Sequence, residues 1–174
     1  MPIQRLNHAV LYVRDVARSV AFYREALGFE VIEGGDAFPG AAFLRAGGST
    51  NDHDLGLFQI GAEAGPSQAG RATVGLYHLA WEVDTLAELQ RVEAKLTELG
   101  ALVGASDHST TKALYAKDPD GIEFEVSWLV PAALLTDEIR GRRNEIRRLD
   151  LAAEVERFGA DTHGGVGVSV PARS

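Results

Sequence analysis

Residues 76–83 read LYHLAWEV, and residues 6–13 read LNHAVLYV. Both fit Leu-x-His-x-x-x-x-Val, and an acidic helix start follows each. In the earlier copy Ala9, Leu11 and Val13 alternate with His8, Val10 and Tyr12, so the spacing predicts a strand with one apolar face and one face that carries the histidine. Asp15 stands where a helix N-cap belongs. Val16, Val20, Tyr23 and Leu27 then recur at helical intervals, and Gly28 occupies the position of a left-handed stop. In the later copy Thr85 and Glu88 form a capping box, Leu86, Leu89, Val92, Leu96 and Leu99 make an apolar stripe, and Gly100 is the matching stop. Short β-patterned stretches follow the first helix at residues 29–32, 41–45 and 54–60, with glycine turns at Gly34-Gly35 and Gly47-Gly48. After the second helix they fall around Leu102, at 114–117 and at 122–128. The order βαβββ therefore occurs twice, and neither copy would bury its sheet alone.

This pattern predicts an α+β fold: two paired βαβββ modules forming a curved mixed sheet around a cleft, with a C-terminal helical tail. Module one spans residues 3–60 and module two 74–130, and together they make a domain over 1–130. Residues 61–73, GAEAGPSQAGRAT, are small, polar and rich in glycine and proline, as a linker or mobile loop would be. From Pro131 a stripe of Leu135, Ile139, Ile146, Leu149 and Ala153 predicts an accessory helix whose other side carries Arg140, Arg142, Arg143, Arg147 and Arg148. Such a charge run reads as a solvated face or, alternatively, as an anion or nucleic-acid patch. Residues 159–174 read as a frayed, flexible tail with His163 in solvent or in a tail contact.

A chain of 174 residues with a net charge of −8 and no cysteine has room for a sizeable core, burying roughly 70% of its unfolded surface. It has no disulfide framework and no thiolate chemistry. The negative charge repels phosphate backbones, which argues against nucleic acid as a partner. No apolar run approaches the ~20 residues of a spanning helix, and no secretory leader is legible, so the expectation is a cytoplasmic protein that does not bind membranes.

Residues 114–128, LYAKDPDGIEFEVSW, add the chemistry. Asp118-Pro119-Asp120-Gly121 is a turn in which proline presets one corner, the aspartates cap it and glycine tolerates a left-handed exit. Beyond it Ile122, Phe124, Val126 and Trp128 alternate with Glu123, Glu125 and Ser127. A carboxylate on a strand otherwise built for burial is expensive unless a cation meets it. If both sheets curve around one cavity, His8, His78 and Glu125 converge from three strands as the two-histidine, one-carboxylate set that holds a divalent metal, most typically Fe(II), with coordination positions left open. Each histidine taken alone reads more readily as a hydrogen-bonded core residue than as a ligand, and it is the repeat that favours the metal; Glu123 reads as a surface pair.

The paired modules, the Leu-x-His openings and the DPDG turn followed by a glutamate resemble the vicinal oxygen chelate superfamily, which includes glyoxalase I, bleomycin-resistance proteins and type I extradiol dioxygenases. The resemblance covers about residues 3–130 and leans to the extradiol branch. It implies metal ligation by His8, His78 and Glu125. Asn51-Asp52-His53-Asp54-Leu55-Gly56-Leu57-Phe58 is similar to that branch's H-H-x-L-x-F strand, which makes His53 the acid/base catalyst; His53 alone also reads as a turn cap. Tyr115, ten residues before Glu125, matches the tyrosine that bonds the ring oxygen, although it also fits as a plain sheet residue. His108 lies near a further active-site histidine and would line the pocket or act in it. Two departures stand out. Asp52 replaces the first histidine of the pair, and Leu57 stands where glyoxalase I carries a fourth ligand.

The implied activity is ring cleavage of a catechol-type aromatic diol by O2 with Fe(II), or alternatively Mn(II), in a homodimer or higher homo-oligomer. Tyr12, Phe43, Phe58 and Trp81 are candidates for lining the pocket or packing the core. The alternatives are a metal-dependent isomerase, epimerase or thiol transferase of the glyoxalase kind, and a metal-free binding protein of the bleomycin-resistance kind.

Overall fold

Both long helices are delimited by the residues that the sequence marks as caps. In α1 (Val16–Leu27) the Asp15 carboxylate accepts from the Arg18 backbone N–H at 2.9 Å, and Gly28, at φ 69°, turns its N–H back on the Arg24 and Tyr23 carbonyls. In α2 (Leu86–Glu98) the Thr85 hydroxyl accepts from the Glu88 N–H at 3.2 Å, and Gly100 stops the chain at φ 65°. The computed structural model describes residues 3, 5–32, 38–70 and 72–165. They form an α+β protein of two units, one made of Met1–Gln68 with Asp118–Gly121 and the other of Ala69–Lys117 with Ile122–Ser174.

In the first unit β1 (Ala9–Val13), β2 (Glu30–Val31), β3 (Ala41–Arg45) and β4 (Leu55–Gln59) form a sheet in the order β1-β4-β3-β2, with β1 parallel to β4 and the other pairs antiparallel. Leu11, Val13, Leu44, Leu55 and Leu57 are buried, and Val10 and Tyr12 are exposed, as the alternation predicts. The buried stripe of α1 is rotated from the predicted one. Ser19, Phe22, Tyr23 and Ala26 face the core instead of Val16, Val20 and Leu27, because the rings of Phe22, Tyr23 and Phe29 pack edge to face at 5.4 and 6.1 Å and bury the most area. The turn Asp118–Gly121 forms as expected: Asp118 accepts from the Asp120 N–H at 2.9 Å, and Gly121 takes φ 82°. The Arg14 guanidinium holds Asp120 at 2.8 Å, and the Tyr23 hydroxyl donates to Asp118 at 3.2 Å. Gly34-Gly35 lies outside the described residues; Gly47-Gly48 is the turn between β3 and β4.

The second unit repeats the plan with β5 (Leu79–Glu82), β6 (Leu102–Asp107), β7 (Thr111–Lys117) and β8 (Glu123–Leu129), and adds β9 (Arg147–Arg148) at its edge in the order β5-β8-β7-β6-β9. β5 runs parallel to β8, as β1 does to β4. Leu86, Leu89, Val92 and Leu96 of α2 are buried, whereas Leu99 leaves the stripe at the helix end with 37% exposure. The predicted single tail helix is instead several pieces: a 3-10 turn at Ala132–Leu134, α3 (Asp137–Gly141), β9 and α4 (Leu151–Phe158). Thr136 and Asp150 each cap a separate helix, so Ile139 and Leu149 are buried and Ile146 is exposed. The reading of 159–174 as frayed is corrected for 159–165. The Gly164 N–H donates to the Asp84 carbonyl, Thr85 bridges His163, and the Trp128 indole N–H donates to the Thr162 carbonyl at 3.1 Å. Residues 166–174 lie outside the described part of the chain.

Candidate metal and active site

Strand register makes the repeat exact enough to compare position by position. Ala9 pairs with Leu55 and Val10 with Gly56 in the first unit, and Leu79 pairs with Phe124 and Ala80 with Glu125 in the second. His8 and His78 therefore precede equivalent strands by one residue. Both lie just outside the strands proper. The counterpart of Glu125 is Gly56. This corrects the alignment that placed Leu57 there: Leu57 is fully buried on the apolar face. On the neighbouring strand Tyr115 lies opposite Glu125, and Phe43 lies opposite Gly56. The two units thus carry the same three positions with different chemistry, His-Tyr-Glu in one and His-Phe-Gly in the other. A side chain grown from Gly56 would meet Val10 at 3.4 Å and the Phe43 ring at 3.5 Å, so an apolar ring stands beside the position that is a carboxylate in the second unit.

In the second unit four predicted site residues form one connected run. The His108 Nε2 lies 2.9 Å from the Tyr115 hydroxyl, Tyr115 stands opposite Glu125 on the paired strand with that carboxylate's charge bearing on its phenol, and Glu125 Oε2 lies 3.3 Å from His78 Nε2. The His78 and Tyr115 rings are 5.8 Å apart, and the Tyr77 ring is 4.6 Å from His78. Burial first, then the charge of Glu125, push the Tyr115 phenol up to about 12. It is therefore a proton donor at neutral pH. The first unit holds the remaining two. The His8 and His53 rings lie 4.5 Å apart, and Phe43 packs edge-on to His53 at 5.1 Å. Phe43 also meets Phe58 at 6.0 Å.

Each of these two imidazoles has one nitrogen tied by its sequence neighbour. His8 Nδ1 is 2.8 Å from Asn7 Oδ1, and His53 Nδ1 is 2.9 Å from Asp52 Oδ2. Asp52, in the place of the missing histidine, thus orients His53. Behind them lies a network that sequence reading missed. The buried Asp54 carboxylate accepts from the Ala46 N–H, the Ser49 hydroxyl and the Asn51 amide at 2.7–2.9 Å, and the Asn51 amide also donates to the Asn7 carbonyl at 2.7 Å. Burial alone would raise the Asp54 carboxyl, but these hydrogen bonds and His53 outweigh it and hold it below the usual carboxylate range. The only sequence signal was the polar run Ser49-Thr50-Asn51-Asp52 before a strand.

Two donors of types that a divalent cation accepts meet in the second unit. Glu125 and His78 offer an anionic oxygen and an imidazole in contact, and His78 Nδ1 is buried with no hydrogen-bond partner. His8 keeps Nε2 free of Asn7. Among the described residues no three His, Cys, Asp or Glu side chains stand close enough together to hold a metal ion; His78 and Glu125 are in contact in one unit, and His8 and His53 in the other.

A doubled βαβββ protein with an imidazole before each opening strand and a glutamate on the closing strand of one copy defines the class. The chain belongs to the glyoxalase/bleomycin resistance protein/dioxygenase superfamily, whose family model matches residues 5–126. It is 33% identical over 124 residues to a catechol-2,3-dioxygenase of Bacillus subtilis, a match that covers 70% of this chain and 40% of that protein. It is 30% identical over 131 residues to a manganese-dependent 2,3-dihydroxybiphenyl 1,2-dioxygenase of Geobacillus genomosp. 3, covering 71% of this chain and 36% of the relative. The chain thus spans about two fifths of the length of these two relatives. The fold matches a glyoxalase/dioxygenase crystal structure from Nostoc punctiforme with TM-score 0.57 and 23% identity, over 71% of this chain and 90% of that one. Among the described residues no helix is long and apolar enough to cross a membrane.

Proposed function

We propose that the chain is a metal-dependent extradiol dioxygenase that opens the ring of a catechol-type diol with O2, using Fe(II) or Mn(II) held by His8, His78 and Glu125. The observation that carries this reading is the continuous run His108–Tyr115–Glu125–His78. In it a carboxylate and an imidazole suited to a cation stand beside a phenol and an imidazole suited to proton transfer. A bound metal would supply Lewis acidity toward the two ring oxygens and a path for electrons to O2. Tyr115, kept protonated, donates to an anionic ring oxygen, and His108 fixes the direction of that hydroxyl. His53, with Nδ1 turned to Asp52, has Nε2 free to take a proton from the diol and return it during ring opening. Phe43 and Phe58 give the ring an apolar surface.

The test is aerobic incubation of Fe(II)- or Mn(II)-loaded protein with catechol and 2,3-dihydroxybiphenyl. A yellow ring-fission product, one O2 consumed per diol and loss of both in His78→Ala are expected. No colour with any vicinal diol overturns the reading. Turnover of another substrate under nitrogen would point to a glyoxalase-type isomerase.

A further inference from the structure

The tail beyond Pro131 plays no part in that reading and lies outside the family match, which ends at residue 126, yet its polar contacts converge on one place. Lys112 of β7 is fully buried, and its ammonium meets Asp107 Oδ1 at 2.5 Å and Glu154 Oε2 of α4 at 3.0 Å. The Glu154 contact is ionic without hydrogen-bond geometry, since no donor reaches that buried oxygen at a bonding angle. Arg147 completes the group 3.3 Å from Asp107 Oδ2, while the β9 backbone pairs with Ser106 and Asp107 at the end of β6. The buried Lys112 ammonium is held between the two carboxylates, and the half-exposed Arg147 also reaches Glu145 at 3.7 Å.

Asp107 also opens the tight turn that carries His108. Its Oδ1 accepts the Ser109 N–H at 2.7 Å. Ser109 is buried at φ 67°, a left-handed conformation that a serine adopts only when its surroundings impose it. The Ser109 hydroxyl donates to the Ile139 carbonyl of α3 at 2.9 Å. Both chain neighbours of His108 are therefore buried and tied to the tail, while His108 turns Nε2 to the Tyr115 hydroxyl.

We propose that residues 136–158 are a clasp that positions His108 against Tyr115, with Lys112, Asp107 and Glu154 as its positioning residues. The inference rests on the roles given to His108 and Tyr115 above. A buried ammonium cannot leave either anion without stranding a charge, so α4 fixes Asp107, Asp107 fixes the turn, and the turn fixes the imidazole.

The experiment compares the full chain, Glu154→Gln and Ser109→Ala, each with and without His108→Ala. Ser109→Ala leaves all four charges in place and serves if Glu154→Gln does not fold. In metal-free protein the His108 imidazole 15N resonance is expected to move toward that of a free imidazole in both variants. In metal-loaded protein kcat falls about tenfold or more with KM within about threefold, and neither substitution lowers kcat further once His108 is alanine. An unmoved resonance in folded Ser109→Ala, or equal kcat losses with and without His108, overturns the clasp. If the wild type turns over no diol, the dioxygenase reading falls while the resonance still decides on the clasp.

Discussion

A single phenol shows what one side chain does in this site. Tyr115 bonds His108 and stands opposite Glu125, so Tyr115→Phe keeps the volume and removes the hydroxyl between them. We expect kcat to fall about 10- to 100-fold, within the range of a lost general acid or hydrogen-bond donor, with the melting temperature changed by a few degrees at most; steady-state kinetics and thermal unfolding check this. Glu123→Gln, on the same strand and face, should leave kcat within about twofold, as a substitution outside the run. A large loss there would mean the carboxylates were assigned to the wrong position. His78 and Glu125 stood out by residue type and by the repeat, whereas Tyr115 and His108 entered only through the family resemblance, because a lone tyrosine or histidine has no periodic mark of its own. The pairing of Phe43 with Gly56 was not legible, because it depends on strand register, and one residue of slip moved the reading to Leu57. The Asp54 network was hidden because side-chain hydrogen bonds across a loop leave no periodic trace.

Elements with a period and a cap were read nearly to the residue: Asp15, Gly28, Thr85 and Gly100 bound their helices as expected. The tail was misread because its apolar residues keep helical spacing across two caps, and periodicity alone does not show that Thr136 and Asp150 each restart a helix. Its last described stretch also makes a sharp packing prediction. A Cβ on Gly164 would lie 2.6 Å from Trp128 Nε1 and 2.8 Å from the Leu129 carbonyl, whereas one on Gly165 meets nothing within 4 Å. Trp128 is fully buried and packs on Phe158 at 5.4 Å, so the ring has nowhere to retreat. Gly164→Ala should cost about 1–3 kcal/mol, the range for overpacking a tight site, and Gly165→Ala within about 0.5 kcal/mol. Equal denaturation midpoints for the two would contradict the docking of residues 159–165.

Across the whole molecule, acid and metal act on stability through different groups. Asp107 sits below the usual carboxylate range: burial would raise it, but Lys112, the Ser109 N–H and Arg147 together lower it, with Glu154 sharing the Lys112 charge. A depressed folded pKa contributes stability that is complete above the unfolded value of about 3.9 and is lost as pH falls through the folded one. Asp54 behaves alike in the first unit. The melting temperature should therefore drop steeply below about pH 4, and Asp107→Asn, already weaker at pH 6, should show a shallower drop; parallel curves would remove Asp107 from the acid response. On the proposed ligand set, metal would add a separate, saturable contribution. A cation that binds the folded chain alone stabilises it by about 2.7 kcal/mol at 100 times Kd. For 174 residues, each kcal/mol moves the midpoint by about 2–4 °C, so Mn(II) at that excess should raise it by about 5–11 °C. The net charge of −8 makes general cation screening the competing explanation, and potassium chloride at matched ionic strength separates the two. His8→Ala, His78→Ala and Glu125→Gln should each shrink the Mn(II) shift to about 2 °C or less, as expected when one of three ligands is lost and Kd rises toward the metal concentration. A full shift in His8→Ala would limit the ligand set to the second unit, whose His78 and Glu125 are already in contact.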